Sequence, residues 1–530
     1  MAIKVSTPGV YIEEIPTLPP SVAEVESAIP AFIGFTEKAE TPKGKSLDKV
    51  PTKIYNLDDY EWYFGKGFPL IQANPVAAAG AAPAKPSNLS IKITEKNKDG
   101  QLISLDILIT PPIPDETNNF ILYDSLRLYF ANGGGPCYIV SAGKYEELAP
   151  APSTTPTTTP PDKATKLLEA IEAVKDYDEP TLLVCPEAVF LDKDEYAEVV
   201  QEMVKQCANQ ELMDRFAIID VPILDGDRED VKRNPMKSIN TFRGANGTAT
   251  GVVNINLSLD RPIRRYAAAY YPYLETTYKL NFEFDKLKVT EYVVNDKNDG
   301  TVPSIFKEIA SKSKTDLKSI DGSELYNLIK AEFDKNHIIL PPSPAIAGIY
   351  AQTDNTRGVW KAPANIGLLN VVGPTLNISN LQQGQMNIDS NNGLSVNVIR
   401  QFPGLGNIVW GARTLDGNDN EWRYVNVRRF FIMVEESIKK SINWAVFEPN
   451  TSITWVRVKG MIENYLFQKW RDGALAGAKP EEAYFVRVGL GQTMTSQDVL
   501  EGKLIAEIGM AVARPAEFII LKFMHKLQTS

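Results

Sequence analysis

The chain has 530 residues, with 56 Lys+Arg against 66 Asp+Glu, two histidines, three cysteines and 36 prolines. Its 43% hydrophobic and 23% charged residues mark a globular chain able to bury cores, and roughly 150 residues per domain predicts about three or four domains. General acid–base catalysis and zinc or iron binding would rest on His337 and His525 alone, and a net charge of −10 argues against general nucleic-acid binding.

No apolar run reaches the about 18 residues of a membrane-spanning helix, so no membrane insertion is expected. The opening MAIKVSTPGVYIEEIPTLPP has no apolar signal core and no small-residue cleavage site, so no secretory signal is expected either. Cys137, Cys185 and Cys207 are odd in number and form no CxxC pair, which predicts buried thiols in a reducing compartment. Charge is unevenly placed. Residues 421–530 hold 15 Lys+Arg and 12 Asp+Glu, leaving that part at +3 and the remainder at −13. The split fits two faces with different partners, and fits chance variation between domains as well.

Residues 1–20 read as an extended arm. Thr7-Pro8-Gly9 is a breaker, Val10-Tyr11-Ile12 is a short β-prone run, and Pro16, Pro19 and Pro20 forbid a helix. Such a segment cannot bury itself, so it is either a loose terminus or an arm that pairs with something else. A buried strand is predicted over 29–35, and a helix over 56–65, capped by Asn56 and ended by Gly65. An Ala/Pro loop at 73–87 precedes a hairpin over 89–109 around Asp99-Gly100. A helix over 123–131 ends at Asn132-Gly133-Gly134-Gly135-Pro136, and Cys137-Tyr138-Ile139-Val140 is the next strand.

The low-complexity stretch 149–161, APAPSTTPTTTPP, reads as a linker or surface loop. Beyond it, helices at 162–175, 192–212 and near 229–244 alternate with apolar strands at 181–185, 216–220, near 252–258 and at 266–273. That alternation predicts a mostly parallel sheet covered on both faces. Residues 275–340 look like an insertion, with strands over 277–294 and helices at 303–312 and 323–335. Val427, Phe431, Val434, Ile438, Ile442 and Ala445 recur at helical spacing. Glu448-Pro449-Asn450-Thr451 then breaks that helix and caps a second one carrying Trp455, Val458, Ile462 and Leu466. Strands are predicted at 483–489, 503–512 and 517–523.

Motifs for chemistry fail on context. Gly133-Gly134-Gly135 runs from helix to strand, the reverse of a phosphate loop, and no Gly-Lys-Ser/Thr follows. Gly489-Leu490-Gly491 lacks a third glycine. The segments 389–393 and 416–420 echo calcium loops but miss the glycine and glutamate those loops need, so turns are expected. Neither histidine is flanked by a nucleophile motif. The residues alone therefore point to a non-enzymatic interaction protein.

Several segments resemble the sheath proteins of contractile phage tails and related bacterial injection machines. These are 7–14 (TPGVYIEE), 31–35 (AFIGF), 130–138 (FANGGGPCY), 347–365 (AGIYAQTDNTRGVWKAPAN), 409–414 (VWGART), Arg428-Arg429, 444–450 (WAVFEPN) and 514–520 (RPAEFII). The resemblance covers both ends and the middle, and leaves 73–118 and 275–340 unmatched. It implies a multidomain α+β and α/β fold. A discontinuous core is built from both chain ends with extended terminal β-arms, and a subtilisin-like, non-catalytic α/β domain and outer insertions lie between them.

The divisions expected are an arm at 1–20, an N-terminal part at 21–145 with an outer insertion near 40–118, and a loop at 146–161. A middle domain at 162–415, a tube-facing core at 416–512 and an arm strand at 513–530 follow. The family's arms add strands to neighbouring subunits. That role falls on Val10, Tyr11 and Ile12, and on Phe518, Ile519, Ile520, Leu521 and Phe523; a one-residue register decides whether Phe518, Ile520 and Lys522 or the alternate set faces inward. Arg428, Arg429, Lys439, Lys440 and Lys459 become candidates for contact with an acidic inner tube. The implied function is a structural subunit of a contractile sheath that winds in six-fold rings around that tube and contracts to drive it into a target membrane. A subtilisin-like hydrolase and another tail or baseplate component are the alternatives. Implied partners are further copies, the inner tube protein, baseplate and terminal cap proteins and sheath paralogues, with no cofactor, no metal and no nucleic acid. Assembly in a bacterial cytoplasm, into a phage virion or a phage-tail-like particle, is implied as well.

Overall fold

The computed structural model describes residues 22–68, 120–145, 162–223, 234–244, 255, 257–279, 331, 335, 337–389 and 392–522, and the backbone of strands at 89–95, 104–109, 291–294 and 297–298. The chain divides into two compact units, Glu26–Arg429 and a smaller one that joins Met1–Val25 to Phe430–Ser530.

The larger unit is organised by a nine-stranded sheet. Its strands are β1 (Pro30–Thr36), β2 (Thr52–Ile54), β5 (Cys137–Lys144), β6 (Leu182–Val184), β7 (Phe216–Asp220), β8 (Ala267–Tyr271), β13 (Ile366–Gly367), β15 (Val396–Phe402) and β16 (Gly406–Val409). They lie in the order β13-β16-β15-β8-β7-β6-β1-β5-β2. The run from β15 to β5 is parallel throughout, and β2, β16 and β13 add antiparallel edges. Strands β1, β6, β7 and β8 are buried at every position, which is why they read as unbroken apolar runs.

Two helix pairs cover the sheet. Helices α2 (Leu122–Ala131) and α5 (Ser343–Arg357) pack together on one side, and α3 (Lys163–Val174) and α4 (Lys193–Cys207) on the other. The α2–α5 approach depends on Gly348, where a Cβ would stand 2.6 Å from the Tyr129 carbonyl. Helix α1 (Leu57–Phe64) starts as its sequence predicts, with the Asn56 side chain accepting from Asp59 N at 2.8 Å and Gly65 ending it. The glycine corner after α2 is a helix end: Gly133 has φ +91°, and Asn132 bonds the backbone of Leu128 and Leu369.

This topology corrects the expected divisions. Strands β1 and β5, from 21–145, lie beside β6 in the same sheet as β7 and β8, so the border placed at 146–161 separates nothing. The physical reason is that parallel neighbours need long crossovers, which brings sequence-distant strands together. The two unmatched insertions also share structure. Strand β3 (Leu89–Glu95) pairs antiparallel with β4 (Ser104–Ile109) and parallel with β10 (Glu291–Val294), which pairs with β11 (Lys297–Asn298). Strand β9 (Leu274–Lys279) lies between β12 (His337–Leu340) and β14 (Val371–Pro374). Of the helix expected near 229–244, the described residues form Met236–Phe242; α4 stops at Cys207, and of the strand expected near 252–258 only 255 and 257–258 are described, without strand pairing. The helices expected at 303–312 and 323–335 fall almost wholly outside the described residues.

In the smaller unit, α6 (Val425–Ser441, counted here from Phe430) and α7 (Ser452–Arg471) carry the two predicted apolar faces, and β17 (Tyr484–Val488) pairs antiparallel with β18 (Ala506–Met510). The N-terminal stretch is built into this unit. Ala23 N donates to Ser441 Oγ and Val25 N to Ser437 Oγ, each at 3.1 Å, and Glu24 pairs with Lys469.

Candidate assembly interface

The smaller unit holds an apolar groove of about 970 Å3. Its walls are Phe431, Val434 and Ile438 of α6 and Val458 and Ile462 of α7, with the alternate residues Ala506, Ile508 and Met510 of β18. No residue of β17 lines it, so the groove lies beyond the β18 edge. Among the described residues no strand pairs with β18 other than β17. A third strand added there would satisfy the free backbone groups of the edge and set every second side chain into the groove.

The same unit ends in a segment that matches this need. Ala513 N still bonds Ala474 O at 2.9 Å, but residues 514–522 leave the unit without strand pairing. Phe518, Ile519, Ile520 and Leu521 are 68–80% exposed, four consecutive large apolar side chains in solvent. Of the strand predicted at 517–523, the described residues 517–522 pair with no strand. Phe523 of the C-terminal arm, and Val10, Tyr11 and Ile12 of the N-terminal arm, lie outside the described residues.

Two of the five basic candidates are corrected. Arg428 is 2% exposed and Arg429 4% exposed, so neither guanidinium can meet a tube surface. Arg428 stacks between Tyr266 and Trp422, at 4.8 and 4.7 Å from the ring centres. Arg429 bonds both Asp354 oxygens, at 3.0 and 2.5 Å, and the Ser27 carbonyl at 2.7 Å, above the Tyr350 ring. Bidentate geometry and a planar fork make arginine suited to such a buried clamp. Lys439, Lys440 and Lys459 are on the surface, each beside a carboxylate of its own helix: Glu436 for the first two, at 3.7 and 3.2 Å, and Glu463 for the third, at 3.6 Å. Such exposed pairs are weak and salt-sensitive.

Elsewhere the chemistry is closed off. Ser343, at the start of α5, donates from Oγ and N to the Asp220 carboxylate at 2.5 and 2.7 Å, and both residues are buried. His337 pairs with Glu275 instead, at 3.1 Å. All three cysteines are buried and free, and burial pushes their thiols up. The calcium-like loop at 416–420 is a turn, as expected, while part of 389–393 lies outside the described residues; Asn418 bonds the Asp389 carbonyl, Asp389 faces Arg243 and Asp416 faces Arg261. Among the described residues no group of three acidic, His or Cys side chains is placed to hold a metal, and no helix is long and apolar enough to cross a membrane. The groove's walls came from helical periodicity; the empty space beyond β18 had no sequence signal, because alternation does not say which edge stays unpaired.

A family model described as the phage tail sheath C-terminal domain matches residues 417–525. The tail sheath protein of Enterobacteria phage T4 is 24% identical over 245 residues, covering 45% of this chain and 34% of that protein. The match thus spans about a third of that relative's length. Two solved structures match almost end to end. The sheath complex of an extracellular contractile injection system, PVC, in its contracted state is 28% identical, with 99% of each chain covered and a TM-score of 0.56. The helical sheath of the anti-feeding prophage, also contracted, is 29% identical, with 98% of this chain and 100% of that one covered and a TM-score of 0.55.

Proposed function

This chain belongs to the contractile tail sheath family, and we propose that it is a structural sheath subunit that polymerises helically around an inner tube and contracts to drive that tube into a target. The observation that carries this reading is the pairing, in one chain, of an open β18 edge over an apolar groove with an uncovered apolar tail. A head-to-tail contact between those two surfaces does not close on itself and so builds a filament. Val10, Tyr11 and Ile12 supply the second arm, so each subunit is tethered to several neighbours and can swing without leaving the polymer. Contraction draws on the difference between a metastable extended packing and a tighter short one, with no cofactor involved.

The larger unit is read as a subtilisin-like fold without its chemistry; fold alone does not bring activity. Lys439, Lys440 and Lys459 remain the tube-facing candidates. The baseplate, a terminal cap and sheath paralogues complete the partners, and assembly is placed in a bacterial cytoplasm, into a phage virion or phage-tail-like particle. The test is truncation after Ala516. The full chain is expected to sediment as polymer and the truncated chain to stay a folded monomer with unchanged circular dichroism; polymer from the truncated chain would reject the tail–groove contact.

A further inference from the structure

Between α6 and α7 the chain makes a tight connection in which Phe447 is 102% exposed and has φ +68°. That left-handed backbone is rare for a residue with a large side chain, and Asn or Gly would take it more readily. The loop is firmly held. Val446 N donates to Asn443 O and Glu448 N to Ala445 O, each at 3.2 Å. Thr454 Oγ1 donates to Pro449 O at 2.7 Å, and Asn450 accepts from Trp455 Nε1 at 2.7 Å while donating to Lys503 O at 2.9 Å. A rigid frame therefore presents an aromatic ring to solvent in a disfavoured backbone conformation. Strain of this kind persists where surrounding structure imposes it, and is found at binding sites.

Phe447 and its exposed neighbour Val446 stand on the rim of the groove beside β18. We propose that Phe447 is the aromatic anchor that closes over the apolar tail, residues 517–522, of a second copy of this chain once that tail has paired with β18. The occupant follows from the chain itself: the tail is its longest described run of large apolar side chains left in solvent, and the groove floor is apolar with an open edge alongside. Aromatic residues dominate such contacts because they bury much area with little loss of side-chain freedom. This inference rests on the strand-addition reading above.

The test measures the critical concentration for polymerisation by sedimentation, with the thermal midpoint of the unpolymerised chain as a second readout. Phe447→Asn and Phe447→Gly both relax the backbone. Each is expected to keep or raise the thermal midpoint while raising the critical concentration about tenfold or more, the loss typical of an anchor residue. Phe447→Tyr is expected to polymerise like the parent. Normal polymerisation of both relaxed variants, alongside failure of the chain truncated after Ala516, would overturn the anchor while leaving strand addition intact. Polymerisation of the truncated chain would overturn both. A lowered midpoint in both relaxed variants would make Phe447 a folding residue and overturn the anchor as well.

Discussion

Glu187 and Asp220 are sealed inside the larger unit, and among the described residues neither has a basic side chain in hydrogen-bonding contact. Glu187 accepts from Phe35 N at 2.7 Å and from Ile121 N and Leu122 N at 2.8 and 3.1 Å, so it caps the start of α2 from a distant part of the chain. Gly34 makes the room, since a Cβ there would stand 2.8 Å from Glu187 Oε2. Burial outweighs these donors and pushes Glu187 up to about 7, and it does the same for Asp220 despite its two bonds from Ser343. A carboxyl whose pKa is raised by folding holds its proton longer in the folded state. Its contribution is therefore present below about pH 4 and is lost as pH rises through about 7. The thermal midpoint of the larger unit is expected to fall between pH 5 and pH 8, and the pair Glu187→Gln and Asp220→Asn to flatten that slope. An unchanged slope in the double variant would show that these groups do not titrate on unfolding. None of this was visible in the sequence, where 66 acidic residues make any single choice uninformative; what singles out Glu187 is three backbone donors brought together by non-local strand order.

Elements with local signals were legible. The Asn56 cap, the Gly133 helix end and the two apolar faces of α6 and α7 are set by neighbours within about four residues, where capping and periodicity act. Errors came where the deciding contact is remote. Arg428 and Arg429 read as surface charge, yet Asp354, Ser27 and Tyr266, far along the chain, help to bury them. Lys439 and Lys459 lie on the surface, the first in the last turn of α6 and the second within α7, so they stay the candidates for the proposed tube contact. Lys439→Glu with Lys459→Glu is expected to weaken co-assembly with an acidic tube, more at low salt than at high salt, without affecting sheath self-assembly. Unchanged co-assembly in both salt conditions would remove the lysines from that contact.

For the whole molecule, the family resemblance implies one core from both chain ends; in the structure residues 22–25 bond to the C-terminal helices. The expected internal borders are misplaced, because a parallel sheet ignores linear order. The groove, the open edge and the exposed tail are the surfaces that the proposed polymer would cover with other copies. Negative-stain microscopy of the purified full-length chain over a range of salt and protein concentrations tests this most directly. Long hollow tubes or stacked cogwheel rings are the expected result; monodisperse single particles under every condition would contradict the sheath assignment.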